Sequence, residues 1–273
     1  MVDPTASQST TPVPPGNLLL LRERIVILSA LGIVTLLSWV YLVDMARGMD
    51  GMTGAPHCAG MMGKPWTAGY FTAMLMMWII MMVGMMVPSA IPMALIYASV
   101  ARKAAREGTP LAPTGIFVIG YVVIWSLFSL GATIAQWALD RMALLSPMMM
   151  SNSPILGGLL LLSAGIYQLT PAKDACLRHC RSPLGFVSSH WKRGGIGAFR
   201  MGIEHGAFCL GCCWILMGLL FFGGVMSLWW IGGLTLFVLF EKVMPFGAIG
   251  GRVIGGILAG WGLMVLIHEF LET

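Results

Sequence analysis

The chain has 273 residues, of which 58% are hydrophobic and 10% charged, with a formal net charge of +5. Soluble domains carry roughly 25% charged residues, so this composition excludes a soluble globular fold, and the scattered basic residues form no nucleic-acid-binding pattern. Apolar runs long enough to cross a hydrocarbon core of about 30 Å recur without the alternation of barrel strands, which predicts an all-α, polytopic transmembrane helical bundle in a lipid bilayer.

The first residues are rich in Ser, Thr and Pro and lack a basic-then-apolar leader. Residues 1–22 are therefore expected to form a disordered cytoplasmic tail, and 23–273 a single transmembrane domain. Apolar runs read against breakers predict about seven spans, near 24–43, 70–99, 114–138, 154–170, 199–223, 225–241 and 248–268. Arg22, Arg24, the Arg102/Lys103/Arg106 group, the basic segment 173–193, Lys242 and Arg252 then fall on one side. That side should be cytoplasmic, with the N-terminus in and the C-terminus out, as for a protein of the bacterial inner (plasma) membrane.

The loop after the first span gathers Met45, Met49, Met52, His57, Cys58, Met61 and Met62, as either a metal-collecting segment or a sticky, disordered loop would. In the second span Met77, Met81 and Met85 repeat every four residues, with Met82 and Met86 beside them. Methionine is also an ordinary core filler, and Pro88 and Pro92 should kink this helix. The loop after the third span holds Met148, Met149 and Met150. Gly157/Gly158 and, near the C-terminus, Gly251/Gly255 suit close helix packing in lipid.

The connection 171–198, on the cytoplasmic face, contains Cys176, His179 and Cys180, with His190 ten residues on. This spacing suits one metal ion or a disulfide, departs from the paired CxxC pattern of structural zinc, and sits where a lasting disulfide is disfavoured.

The fifth span carries the densest chemistry. Met201, His205, Cys209, Cys213 and Met217 are each four apart, with Cys212 one turn from Cys209, so one helix face offers N and S donors over about 24 Å. Imidazole, thiolate and thioether together suit Cu(I); His and Cys alone also suit zinc. The alternative is a packing face on which cysteine acts as a small hydrophobe. Glu204 stands either beside such an ion or in a pair with Arg200, one turn earlier. Because the second and fifth spans run in opposite directions, Met85/Met86 and the Cys209–Cys213 group should lie at one depth, near the bilayer centre. Glu241, and Glu269 with His268, fall near interfaces, as anchors or helix partners.

No Ser/His/Asp order, Walker loop, dinucleotide fingerprint or ATPase motif is present, so no catalytic residue is assigned and an enzymatic role is not expected. The stretches MWIIMMVGMMVPSAIPM, GIYQLTPAKDACLRHCRSPLGF, HWKRGGIGAFRMGIEHGAFCLGCCWILM and EKVMP resemble the DUF2182 family of predicted metal-binding integral membrane proteins, over about residues 70–265. The resemblance implies metal ligands at His205, Cys209, Cys212 and Cys213, secondarily at Cys176, His179 and Cys180, and a helper that supplies copper to copper oxidases.

The leading expectation is a protein that binds Cu(I) and passes it across or within the membrane to a copper-dependent oxidase or monooxygenase. His and Cys would give a tight central step, and Met81, Met85, Met201 and Met217 weaker, exchangeable ones. The alternatives are a membrane thiol-disulfide or electron-transfer protein using Cys209 and Cys212, a non-catalytic structural subunit of an oxidase complex, and a metal-dependent enzyme with Glu204 as general base.

Overall fold

The computed structural model describes residues 15–50, 66–108, 112–146 and 149–272. The tail before residue 15 lies outside the described residues, as do Met52, His57, Cys58, Met61 and Met62 of the first loop, Met148 and the side chain of Met49. The described chain is built from helices joined by short turns. In order they are α1 (Pro15–Asp50), α2 (Ala68–Arg106), α3 (Thr114–Arg141), α4 (Pro154–Gln168), α5 (Pro171–Arg181), α6 (Pro183–His190), α7 (Gly194–Gly218), α8 (Leu220–Gly223), α9 (Leu228–Val243) and α10 (Gly247–Glu272).

Each predicted span falls on a helix: α1, α2, α3, α4, α7, α9 and α10. Five stretches are long and apolar enough to cross a membrane alone: Leu21–Gly48, Ala68–Arg106, Thr114–Arg141, Gly194–Gly223 and Gly247–Glu272. With 15 and 16 residues, α4 and α9 are shorter than the about 20 residues a crossing needs. α4 and α5 qualify only together, as one span bent by 65°.

That bend has a local cause. Thr170 accepts the Lys173 N–H as an N-cap and Pro171 occupies the first helical turn, so α4 ends and a new helix starts at once. The stretch expected as a loop from 171 onward is therefore mostly helical, in α5 and α6. Asp174 in the first turn of α5 and Arg178, His179 and Arg181 in its last turn complement the helix dipole.

α2 runs unbroken through Pro88 and Pro92. Pro88 has no N–H for the Gly84 carbonyl, and the Trp39 indole of α1 donates to that carbonyl at 3.3 Å. Glycine sets the two closest helix pairs. Between α3 and α7, a Cβ on Gly202 would lie 2.9 Å from the Phe117 carbonyl carbon and 3.1 Å from Gly120 Cα. Between α4 and α10, a Cβ on Gly165 would lie 2.6 Å from the Gly255 carbonyl oxygen, and one on Gly262 2.8 Å from that of Gly158. Small residues here let backbones approach as they do in lipid. Gly157 and Gly251, also expected at such contacts, face the Phe222 ring and the Glu241 side chain instead.

The interior is filled with thioethers and thiols. Met77, Met81, Met82, Met85, Met86 and Met217 share one buried cluster with Cys209, Cys212 and Cys213. The outward faces stay apolar, with Trp229, Ile249, Val253, Ile257 and Ile267 exposed. A lipid environment, but not water, accepts such a surface.

Candidate metal centre

α7 carries Cys209, Cys212 and Cys213 into the core, each at most 2% exposed. Spacings of three and four place them on one helix face, where the Cys212 and Cys213 thiols each donate to the Cys209 carbonyl at 3.0 Å. A fourth thiol arrives from α5: Cys180, partly buried, packs against the cluster that holds Cys209, Cys212 and Cys213. α5 can come this close because Gly211 lacks a side chain. Cys176 Sγ lies 2.8 Å from where a Gly211 Cβ would stand, and the Tyr167 hydroxyl donates to the Gly211 carbonyl.

Two polar groups complete the cluster. The Tyr121 hydroxyl of α3 lies 3.0 Å from Cys209 Sγ and 3.0 Å from the Met86 carbonyl oxygen, to which it donates. Tyr121 thus ties α2, α3 and α7 together at one level. That is the shared level expected for Met85/Met86 and the cysteines. From α9, the Lys242 ammonium donates to Cys209 Sγ at 2.9 Å and to Ser89 Oγ at 3.1 Å.

A buried ammonium is costly unless its surroundings compensate it. The adjacent carboxylate, Glu241, is committed elsewhere. It pairs with Lys173 at 2.6 Å, both side chains being 2% exposed, and accepts from Gln168 Nε2 at 3.3 Å. The immediate partners of Lys242 are therefore a sulfur and a hydroxyl, and wherever Cys209 is ionised Lys242 is its counter-charge.

His205, one turn before Cys209, is buried, and its Nδ1 has no hydrogen-bond partner. Its ring is held between those of Phe117 and Tyr121, with centroids 5.9 Å and 5.6 Å away, and meets Phe186 edge-on. An orphaned imidazole nitrogen, four thiols and neighbouring thioethers form a donor set that suits a soft monovalent ion. Among the described residues, however, no three His, Cys, Asp or Glu side chains stand as a ready ligand set. Cys212 and Cys213 point back at a carbonyl instead of converging on a common point.

The other sequence-predicted residues divide. Met81, Met85 and Met217 lie in the same core cluster as the thiols. Met201 does not. It packs with Met93, Tyr97 and Phe117 in a separate cluster, where its sulfur accepts the Lys192 backbone N–H at 3.4 Å. The Cys176/His179/Cys180 group also separates. Positions 176 and 180 share a face of α5 while 179 is turned about 100° from 180, and His179 lies flat on Phe208 with its Nδ1 2.9 Å from the Ala175 carbonyl oxygen. Glu204 pairs with Lys192, half-exposed, and not with Arg200.

Lys242 and Tyr121 escape a reading of the sequence. A lysine at the end of an apolar run looks like a cytoplasmic flank, and a lone tyrosine inside a span is unremarkable. The adjacency of Glu241 and Lys242 was the available signal, since two opposite charges closing a span need separate partners when both are buried.

The fold and the site define a helical membrane-type protein whose interior is lined by soft, metal-compatible donors. A copper chaperone family model, PpoB2, matches residues 75–265, well over half of the chain, and the chain belongs to that family. This is the family to which the cysteine motifs pointed, and the match covers the four clustered thiols, His205 and Lys242. Neither the curated proteins nor the solved structures yield a match. The family speaks for copper and gives zinc no support.

Proposed function

We propose that the protein binds Cu(I) as cargo at Cys180, Cys209, Cys212 and Cys213 and hands it to a copper-dependent enzyme of the membrane, an oxidase or monooxygenase. The observation that carries this reading is the meeting of the three buried thiols of α7 with the partly buried Cys180 of α5, beside the Lys242 ammonium. Cu(I) held by two thiolates carries a net charge of −1, and a low-dielectric interior penalises any uncompensated charge. Lys242 supplies +1, so the loaded site is neutral.

His205, with its free Nδ1, serves as an additional donor, and Cys176 stands in reserve beside Gly211. Met81, Met85 and Met217 offer weaker, exchangeable contacts next to the thiols, which is what movement requires in place of trapping. Met201, His179 and Glu204 act in packing and pairing. The topology that goes with this reading is seven crossings, N-terminus in and C-terminus out, in a bacterial inner membrane. The family match favours neither the thiol-disulfide reading nor the structural-subunit reading.

Elemental analysis for copper and zinc on the full chain, purified in detergent under reducing conditions and loaded with Cu(I), tests the proposal. The expected result is near-stoichiometric copper in the wild type, lost in Cys209→Ser/Cys212→Ser/Cys213→Ser and weakened in Cys180→Ser. No copper in the wild type after loading would overturn it.

A further inference from the structure

At the end of the bundle away from α5 and α6, two methionines from distant parts of the chain meet on one amide. Trp78 Nε1 donates to Gln136 Oε1 at 2.7 Å and fixes which way the Gln136 amide faces. Gln136 Nε2 then points at two sulfurs, Met149 Sδ at 3.2 Å and Met74 Sδ at 3.7 Å. Gln136 is 2% exposed and Trp78 fully buried. A buried amide N–H normally finds an oxygen acceptor, and thioether sulfur is a weak substitute.

The backbone is bent to make this arrangement. Met149 has φ 55°, in the left-handed region that non-glycine residues seldom enter. The turn is held by the Met149 N–H donating to the Ser146 carbonyl and the Ser146 N–H donating to the Met150 carbonyl, both at 2.8 Å. An uncommon conformation that the surroundings enforce, and that turns a soft donor inward, is the kind of local cost found at binding sites.

The pair is also connected to the thiols. Met74, Met77, Met81 and Met85 follow one another at helical spacing along α2, and all belong to the buried cluster that contains Cys209, Cys212 and Cys213. At the lower end of this row, the Met86 carbonyl shares the Tyr121 hydroxyl with Cys209.

We infer that Met74 and Met149 form a second, weaker site for Cu(I), reached from the thiol cluster along the α2 methionines, with Gln136 Nε2 standing between the two sulfurs until the ion takes its place. Two neutral thioethers leave the ion's positive charge uncompensated, so this site is weaker than one made of thiolates and suits release. The inference rests on the copper reading above.

Anaerobic titration of the full chain in detergent with Cu(I), against a chromophoric competitor, tests it. The wild type is expected to take a tight and then a weak equivalent. In Met74→Leu/Met149→Leu, whose side chains keep volume and apolarity, the weak equivalent loses about tenfold or more in affinity while the tight one is unchanged. On selenomethionine-labelled wild type, Cu–Se scattering should strengthen with the second equivalent. A weak equivalent that survives the double substitution, or its absence from the wild type, overturns the second site and leaves the thiol site standing. A wild type that takes no copper overturns both. If the double variant does not fold, the scattering decides, and no rise in Cu–Se signal at the second equivalent overturns the inference.

Discussion

Replacing Lys242 by methionine removes the ammonium and keeps an unbranched chain of similar length. At 2.9 Å from Cys209 Sγ, a full charge pair at an effective dielectric of about 20 attracts by about 6 kcal/mol. In the loaded site the negative charge is spread over the ion and two sulfurs, and taking about a third of that value leaves about 2 kcal/mol, or about 30-fold in Cu(I) affinity. The copper-free protein should respond differently. Where Cys209 is a neutral thiol in the copper-free protein, an ammonium bonded to that thiol and a hydroxyl is poorly compensated, so replacing it with an apolar side chain should leave the melting temperature unchanged or raise it. Competition with a Cu(I)-specific chromophoric chelator reads the first effect, and thermal unfolding in detergent without copper reads the second. Affinity within about threefold of the wild type, or a fall in affinity matched by a fall in copper-free stability, would refute the counter-charge argument.

Three further variants probe the frame that holds the site. Glu241→Gln leaves Lys173 buried without a counter-charge and should cost about 3–5 kcal/mol, whereas Lys173→Met combined with Glu241→Leu should recover most of that loss; thermal unfolding of the single and double variants reads the difference. Gly202→Ala forces a methyl group against the Phe117 and Gly120 backbone of α3, and overpacking of this kind should destabilise by about 1–3 kcal/mol, measured in the same assay.

Much of the architecture was legible before any coordinates. Apolar runs must become helices in lipid because each backbone polar group has to be satisfied within its own segment. For this reason every expected span coincides with a helix, although α4 and α9 are too short to count as crossings by themselves. The grouping of Cys209, Cys212 and Cys213 was equally legible, because helical spacing alone puts positions three and four apart on one face.

Spacing cannot show which face meets which neighbour. The stripe from Met201 to Met217 looked continuous, yet Met201 packs against Phe117 and Tyr97 while Met217 sits with the thiols, because neighbouring helices divide the length of α7 between two cores. The Cys176/His179/Cys180 group, expected on the cytoplasmic face, looked like a site of its own, and the turn at Thr170–Pro171 folds it back so that Cys180 packs against the cysteines of α7. Lys242 looked like a surface charge, and the pairing of Glu241 with Lys173 left it facing Cys209. Periodicity along a single helix, which depends only on local backbone geometry, was thus determined by the sequence alone. The fourth thiol, the counter-charge and the meeting of Met74 with Met149 depend on contacts between residues far apart in the chain, and those were decided only when the helices packed.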